Sequence, residues 1–245
     1  MPPEPPLHEA PAKTRRGEQT RAHILETALR LFRERGYEET TMRAIAEEAG
    51  VAVGNAYYYF RSKEHLIQAF YERTHEEHLE ACGEILASER RLEARLLGVM
   101  RAKVDTAMPY HRFAGVLFKT AADPNSPLNP FSEESRPLRE RATAVFAEVL
   151  DGSGTWVRNP GLRTELPHLL WLYHMGVLLY WIHDTSPACV RTYRLVDHTV
   201  ALIVRLISLA NLPVLSPLVR KALELLAAQR EDQNSPTNPT SGSSR

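Results

Sequence analysis

Apolar side chains recur at helical spacing throughout residues 18–230, and no segment alternates apolar and polar residues as a half-buried strand does. The pattern is clear near the N-terminus, where Leu25, Ala28, Leu29 and Phe32 occupy positions i, i+3, i+4 and i+7. Helices of this kind must bury their apolar stripes against one another. The spacing therefore predicts an all-α protein in which a small N-terminal module of three helices precedes a larger helical domain.

Cap and turn residues divide this stretch into ten predicted helices. The first ends at Gly36, and Ser62 is the expected cap of a long helix over 62–83. Two short helices lie between them, at 41–49 and 53–60. Six more are predicted in the rest of the chain, at 89–107, 109–122, 136–150, 161–184, 188–211 and 214–229.

The two ends of the chain differ in composition from its interior. Residues 1–17 and 231–245 are rich in Pro, Ser, Asn, Thr and Gly, so burial cannot offset the entropy of ordering them. We expect both to be disordered tails. The remainder is predicted to divide into an N-terminal module, 18–62, and a helical domain, 63–230.

Charge and cysteine content limit the classes of function and location. The whole chain holds 30 basic and 30 acidic side chains, but residues 13–63 hold ten Lys and Arg against seven Asp and Glu, which permits a local basic surface. Cys82 and Cys189 are too few and too far apart for a disulfide framework or a metal knuckle, which favours a cytoplasmic location. Leu166–Ile182 is too short and too polar for a membrane span, so no membrane partner is expected.

The two short helices, 41–49 and 53–60, carry the residue pattern that is most informative about function. Thr41 can cap the first helix, and Ala46 is small enough to let the second helix cross it closely. Gly50 can adopt the left-handed conformation that ends the first helix. The second helix is too short to be stable alone and carries polar and aromatic residues on its rim, with Phe60 as its core anchor. This arrangement indicates a helix-turn-helix that binds double-stranded DNA.

A longer run of residues at fixed spacing extends over 21–70. Its members are Ala28, Phe32, Gly36, Thr41, Ile45, Ala46, Ala49, Gly50, Val51, Gly54, Tyr57, Phe60, Lys63, Glu64 and Leu66. This run resembles the N-terminal domain of the tetracycline-repressor (TetR) family. The resemblance implies a transcriptional regulator, commonly a repressor that a small effector releases from a palindromic operator.

The resemblance also implies two groups of DNA contacts. Thr41, Tyr57 and Lys63 would hold the DNA backbone, and four residues would lie where bases can be read: Arg43, Val53, Asn55 and Tyr58. The sequence departs from the family at Ala52, where a Ser or Thr cap is usual, and at Ala56, where a larger apolar residue is common. A basic arm formed by Lys13, Arg15 and Arg16 is a further candidate contact, with a solvated tail as the alternative.

Two helices near the C-terminus carry more apolar surface than one neighbour can cover. They span 161–184 and 188–211, and in the resembled family this pair forms a four-helix bundle with its copy. We therefore expect a homodimer through these helices. One large monomeric core is the alternative.

Helices 89–107, 109–122 and 161–184 supply residues suited to a pocket for a small, largely apolar effector. The candidate ligand contacts are Met100, Val104, Met108, Phe113, Leu117, Phe118, Tyr173 and His174. The long helix over 62–83 leads from Phe60 into this region, and we expect it to couple the pocket to the DNA-binding helices.

An enzyme is the rival class of function. The sequence holds no Gly-rich phosphate loop, nucleophile elbow or paired-cysteine site, so we predict no catalytic residue, metal ligand or cofactor. His75 and His78 are three residues apart rather than four, which favours a solvated helix face over a zinc site. The alternative is a helical enzyme or small-molecule binding protein that uses a pocket around His174. An enzyme would be supported by the clustering of four residues around one cavity: His174, His183, Asp184 and Cys189.

Overall fold

The computed structural model describes residues 12–234, which form ten α-helices and no strand. The helices are α1 (Ala12–Arg35), α2 (Met42–Glu48), α3 (Val53–Tyr59), α4 (Lys63–Ser88), α5 (Leu92–Ala107), α6 (His111–Ala121), α7 (Arg136–Asp151), α8 (Pro160–Ile182), α9 (Val190–Ala210) and α10 (Ser216–Asn234). Short 3-10 turns precede α6, α9 and α10, at Met108–Tyr110, Pro187–Cys189 and Pro213–Leu215. The predicted all-α class is confirmed.

Two helices extend into segments that the composition assigned to disordered tails. Residues 12–17 belong to α1 and residues 231–234 belong to α10, so the prediction of disorder is wrong there. Lengthening an existing helix fixes one residue for each new hydrogen bond and costs far less than starting a helix. The rest of the predicted tails, 1–11 and 235–245, lies outside the described residues.

Helix α4 continues beyond its predicted end at 83 because packing outweighs the modest helix penalty of Gly83. Its last turns bury Cys82 and Leu86 in the core. Ser88, which directly precedes the predicted start of the next helix at 89, donates its hydroxyl proton back to the carbonyl of Glu84 at 2.8 Å. Helix α4 is therefore long enough to contact both parts of the molecule.

Helix α9 begins at Val190 rather than 188, because Ala188 and Cys189 lie in the left-handed region with φ of 51° and 52°. The Asp184 carboxylate holds this turn by accepting four hydrogen bonds of 2.6–2.9 Å, from the N–H and hydroxyl groups of Ser186 and Thr192. Burial alone would raise the pKa of Asp184, but these hydrogen bonds outweigh burial and hold it below the ordinary range. The same bonds offset the cost of two strained residues.

Buried side chains form two clusters that share the long connecting helices. The N-terminal cluster joins α1, α2 and α3 to the first turns of α4 and to α6, where the ring of Phe113 stacks on Phe32 with centroids 6.1 Å apart. The C-terminal cluster joins α5, α7, α8 and α9 to the far end of α4. Helices α4 and α6 thus stand between the N-terminal module and the rest of the fold.

Helix α8 is the most apolar helix, and its central residues Leu170, Trp171 and Val177 are buried. Within residues 12–234, no single helix is long and apolar enough to cross a membrane. The bent pair Pro187–Ala210 and Pro213–Leu225, inclined at 91°, passes that test by length and composition when taken together.

Candidate functional site

Helices α2 and α3 form the predicted helix-turn-helix. The Thr41 hydroxyl accepts a 3.1 Å hydrogen bond from a backbone N–H in the first turn of α2, as a capping residue does. Gly50 has φ of +63°, and the N–H of Val51 then donates to the carbonyl of Ala46 at 3.0 Å. Ala46 of α2 and Ala56 of α3 are both fully buried, so the departure at Ala56 faces the core.

Six of the seven predicted DNA contacts are exposed on this helix pair: Thr41, Arg43, Val53, Asn55, Tyr57 and Tyr58. Tyr57 and Tyr58 are 48% and 79% exposed, which is unusual for large aromatic side chains and leaves their hydroxyls accessible. Arg43 forms no ion pair with any residue that the structure describes. At the start of α3, Ala52 makes no side-chain cap hydrogen bond, as expected of an alanine.

Lys63, the seventh predicted contact, also ties two backbone segments together. Its Nζ donates to the carbonyls of Tyr37 at 2.7 Å and Glu38 at 3.3 Å, and lies 4.3 Å from the centre of the Tyr37 ring. The Tyr37 hydroxyl donates to Glu64 at 2.9 Å. Because an ammonium carries three protons, one donor of Lys63 is left for a phosphate oxygen.

A basic side chain of α1 lies beside the end of α3. The Arg21 guanidinium lies 5.0 Å from the centre of the Phe60 ring, at the end of α3. One turn earlier, Gly17 faces the Tyr59 hydroxyl, and the neighbouring Arg16 is exposed. The first turns of α1 thus lie beside the end of α3.

A cavity of about 240 Å³ lies among α4, α5, α6, α7 and α8, below the helix-turn-helix. Most of its wall is apolar, and Phe146 and Trp171 contribute large rings. Three of the eight predicted ligand contacts line it: Leu117, Phe118 and His174. A concave, mostly apolar site with a few polar groups is typical of small-molecule binding.

The other five predicted ligand contacts do not line this cavity. Met100 and Val104 are buried in the C-terminal core, and Met108 packs against that core from a 3-10 turn. Phe113 belongs to the N-terminal core, and the Tyr173 hydroxyl is hydrogen-bonded to α9 at 2.6 Å. Each of these five residues lies on an apolar face of its helix. An apolar face can pack against another helix or line a cavity, and the sequence does not show which.

Two histidines of the cavity were assigned wrongly from the sequence. His75 and His78 are 5% and 4% exposed, so the predicted solvated face is in fact a wall of the cavity. The signal was available, because Tyr71 and Thr74 continue the same stripe at helical spacing. Lys103 of α5, which no sequence pattern indicated, lines the cavity as well.

The environment of these groups fixes their charge at neutral pH. Burial, reinforced by the Lys103 charge, lowers the pKa of His75 and of His78 to about 4 and that of His174 well below its ordinary value. Burial lowers the pKa of Lys103 to about 8, so its ammonium remains mostly charged at pH 7. The cavity therefore presents the Lys103 ammonium and three neutral imidazoles, and Arg139 of α7 also lines it. The Arg139 guanidinium donates to the carbonyls of Pro130 at 2.6 Å and Ser132 at 3.1 Å.

The four residues of the rival hypothesis do not cluster around one cavity. His183 is exposed, the Asp184 carboxylate holds the turn before α9, and burial raises the pKa of the Cys189 thiol. Of the four residues in that hypothesis, His174 alone lines the cavity. Within the described part of the chain, no three His, Cys, Asp or Glu side chains are grouped so as to hold a metal ion.

The two faces of α9 differ in burial. Val196 and Val200 are buried in the core of their own chain. The opposite face carries Leu202, Leu206 and Leu209, which are 55%, 54% and 47% exposed. On α8, Leu179 and Tyr180 are exposed as well. Both helices of the predicted dimer seam thus present uncovered apolar side chains.

Family models match both the N-terminal and the C-terminal part of the chain. Residues 24–70 match the model of bacterial regulatory proteins of the tetR family, and residues 95–225 match the tetracyclin repressor-like C-terminal domain. The second match covers more than half of the chain and includes most of the cavity. Members of this family regulate transcription and are not enzymes.

Known relatives agree with these matches. The chain is 43% identical over 84 residues to the transcriptional regulator TtgR of Pseudomonas putida. This alignment covers 34% of this chain and 39% of TtgR. It is 28% identical over 176 residues to the transcriptional repressor KstR2 of Mycobacterium tuberculosis, covering 71% of this chain and 81% of KstR2.

A solved structure shows the same fold. The putative TetR-family regulator from Syntrophomonas wolfei superposes with a TM-score of 0.63 at 18% identity, over 76% of this chain and 95% of that one. The helix-turn-helix, the domain matches and this fold lead to one assignment: the chain belongs to the TetR family of bacterial transcriptional regulators.

Proposed function

We propose that this protein is a DNA-binding repressor that leaves a palindromic operator when a small, largely apolar effector fills the cavity. The exposed rim of α2 and α3 is the observation that carries this proposal, because it combines hydrogen-bonding and aromatic groups that the core does not use. In this account residues 18–62 are the DNA-binding domain, and 63–230 form the effector-binding and dimerisation domain.

The exposed groups fall into two chemical classes. The Thr41 and Tyr57 hydroxyls and the Lys63 ammonium suit phosphate oxygens. Arg43 and Asn55 carry hydrogen-bonding groups that suit guanine and adenine edges in the major groove. We assign Val53 and Tyr58 to apolar and edge contacts on the bases.

Helices α4 and α6 are the proposed route of coupling between cavity and DNA. On α4, Phe70 belongs to the N-terminal core while His75, little more than one turn later, lines the cavity. On α6, Phe113 belongs to that core and Phe118 lines the cavity. A ligand that shifts either helix would therefore change the position and orientation of α2 and α3. The coupling free energy between two such sites is typically about 1–3 kcal/mol.

The proposed repressor acts as a homodimer through α8 and α9. Their exposed leucines would be covered by the same face of a second copy, as a two-fold interface requires. Two helix-turn-helix units related in this way read the two halves of a palindromic site.

Asn55→Ala and Lys63→Ala should weaken DNA binding in different ways. Removing the Asn55 amide should cost about 1–3 kcal/mol on the preferred operator and less on unrelated DNA, because the alanine cannot recognise a base edge. Removing the Lys63 charge should weaken binding to all sequences alike and reduce the salt dependence by roughly one unit for each phosphate that is no longer neutralised. Titrations of labelled operator variants at several salt concentrations measure both effects.

Asn125→Ala is the matched control, since Asn125 is exposed on the loop between α6 and α7, away from α3. It should leave both quantities unchanged. An Asn55→Ala protein that ranks operator variants as the wild type does would show that α3 docks in another orientation.

A further inference from the structure

One ammonium and three imidazoles of the cavity wall come from three helices. Lys103 lies on α5, His75 and His78 on α4, and His174 on α8. The charge of Lys103 acts on all three imidazoles, which places these groups in one electrostatic neighbourhood. No carboxylate is among the described residues that line the cavity.

The Lys103 ammonium lacks a close counter-ion within the described part of the chain. It forms no ion pair there, and its acidic neighbour Glu77 is paired with Arg73 at 3.7 Å. Lys103 is half-buried in a mostly apolar wall, where a cation without a partner is costly and an anion brought close to it recovers much of that cost. Lys103 is therefore poised to accept a negative charge.

The imidazoles also have unused hydrogen-bonding capacity. Nε2 of His75 and both ring nitrogens of His174 are buried without a partner among the described residues. His78 differs, because its Nε2 pairs with the carbonyl of Val99 at 3.0 Å. Buried polar atoms are rarely left unpaired in a folded protein, so these nitrogens indicate a place for a polar ligand group.

We propose that the cavity binds an apolar monocarboxylic acid, with its carboxylate between Lys103, His75 and His174 and its hydrocarbon body against Phe146 and Trp171. This inference rests on the proposed function in taking the cavity as the effector site. The charge on the ligand determines which chemical class fits the cavity. A neutral amide would leave the Lys103 ammonium unpaired, whereas a carboxylate supplies the one negative charge that it lacks. Arg139, the other cation of the wall, already donates to the carbonyls of Pro130 and Ser132.

Binding of decanoate and decanamide to the full-length protein, without DNA, tests this inference. Trp171 and Trp181 line the cavity, so their fluorescence reports occupancy. We expect the wild type to bind decanoate about 10–100-fold more tightly than decanamide, because the neutral amide cannot form charge-assisted hydrogen bonds with Lys103. Fatty acids of six to twelve carbons establish the chain length that fits.

Lys103→Met should bind the two probes equally, whereas Lys103→Arg should keep the preference for the acid. Lys119→Met is the matched control, since Lys119 is exposed on α6. Circular dichroism establishes that each variant is folded, and Lys103→Gln replaces Lys103→Met if the latter is not. Equal binding of both probes by the wild type, an unchanged preference in Lys103→Met, or no binding of any acid would overturn the inference.

The outcomes separate this inference from the proposed function. A protein that binds its operator but no carboxylic acid contradicts the ligand class alone. A protein that binds decanoate through Lys103 but selects no DNA sequence contradicts the proposed repressor and leaves the carboxylate site in place.

Discussion

Replacing Leu206 with Glu should convert the protein to a monomer and lower its operator affinity about 100-fold or more, since the second half-site is then no longer bound at high effective concentration. Leu206 is 54% exposed between Leu202 and Leu209 on α9. In a two-fold seam each copy would place a carboxylate among apolar side chains, where a buried unpaired charge is strongly unfavourable. Light scattering and operator titration measure the two effects.

Leu79→Glu is the control for this prediction, because Leu79 is a 37% exposed leucine on α4, outside the seam. It should remain dimeric with wild-type affinity. Val200 would be a poor choice of site, since it is 1% exposed in the core of its own chain and a charge there would unfold the monomer. A Leu206→Glu protein that stays dimeric would rule out this face of α9 as the interface.

Arg95→Met should lower the free energy of unfolding by about 3–5 kcal/mol. The Arg95 guanidinium is 1% exposed and donates to four backbone carbonyls at 2.6–3.0 Å, two near the end of α4 and two near the end of α7. It thus compensates two helix C-termini, where carbonyls lack partners and the dipole is negative. Urea unfolding measures the decrease.

Arg91→Met provides a matched control, because the Arg91 side chain is 78% exposed and forms a surface ion pair with Glu93 at 3.8 Å. The free energy of unfolding of the Arg91→Met protein should differ from that of the wild type by less than about 0.5 kcal/mol. A second comparison uses Gly152, where an added Cβ atom would overlap the Arg95 guanidinium. Gly152→Ala should be destabilising in the wild type and nearly neutral in Arg95→Met. A decrease below about 1 kcal/mol for Arg95→Met would contradict the role of this cation.

The helix-turn-helix could be predicted in detail because its determinants are local. The cap at Thr41, the left-handed Gly50 and the buried Ala46 each act within a few residues of themselves, so sequence spacing contains the necessary information. The same holds for most helix ends. Exceptions such as the start of α9 depend on Asp184, whose hydrogen bonds reach across a left-handed turn.

The cavity could be predicted only in part because its lining depends on packing between distant segments. Phe113 and Phe118 lie five residues apart on one helix, yet the first enters the N-terminal core and the second faces the cavity. The burial of His75 depends on how α4 packs against the rest of the domain. Lys103 could not be predicted as a cavity residue, because a lysine on a helix is usually solvated.

Selection of DNA from a random pool by the full-length protein tests the central claim most directly. We predict enrichment of a two-fold symmetric site that is bound by a dimer, with half-sites about one helical turn, or roughly 10 base pairs, apart. Asn55→Ala should enrich this site less strongly than the wild type does. Binding that is equal on all sequences and disappears with salt, or no binding at all, would contradict the account of α2 and α3 as an operator-reading pair.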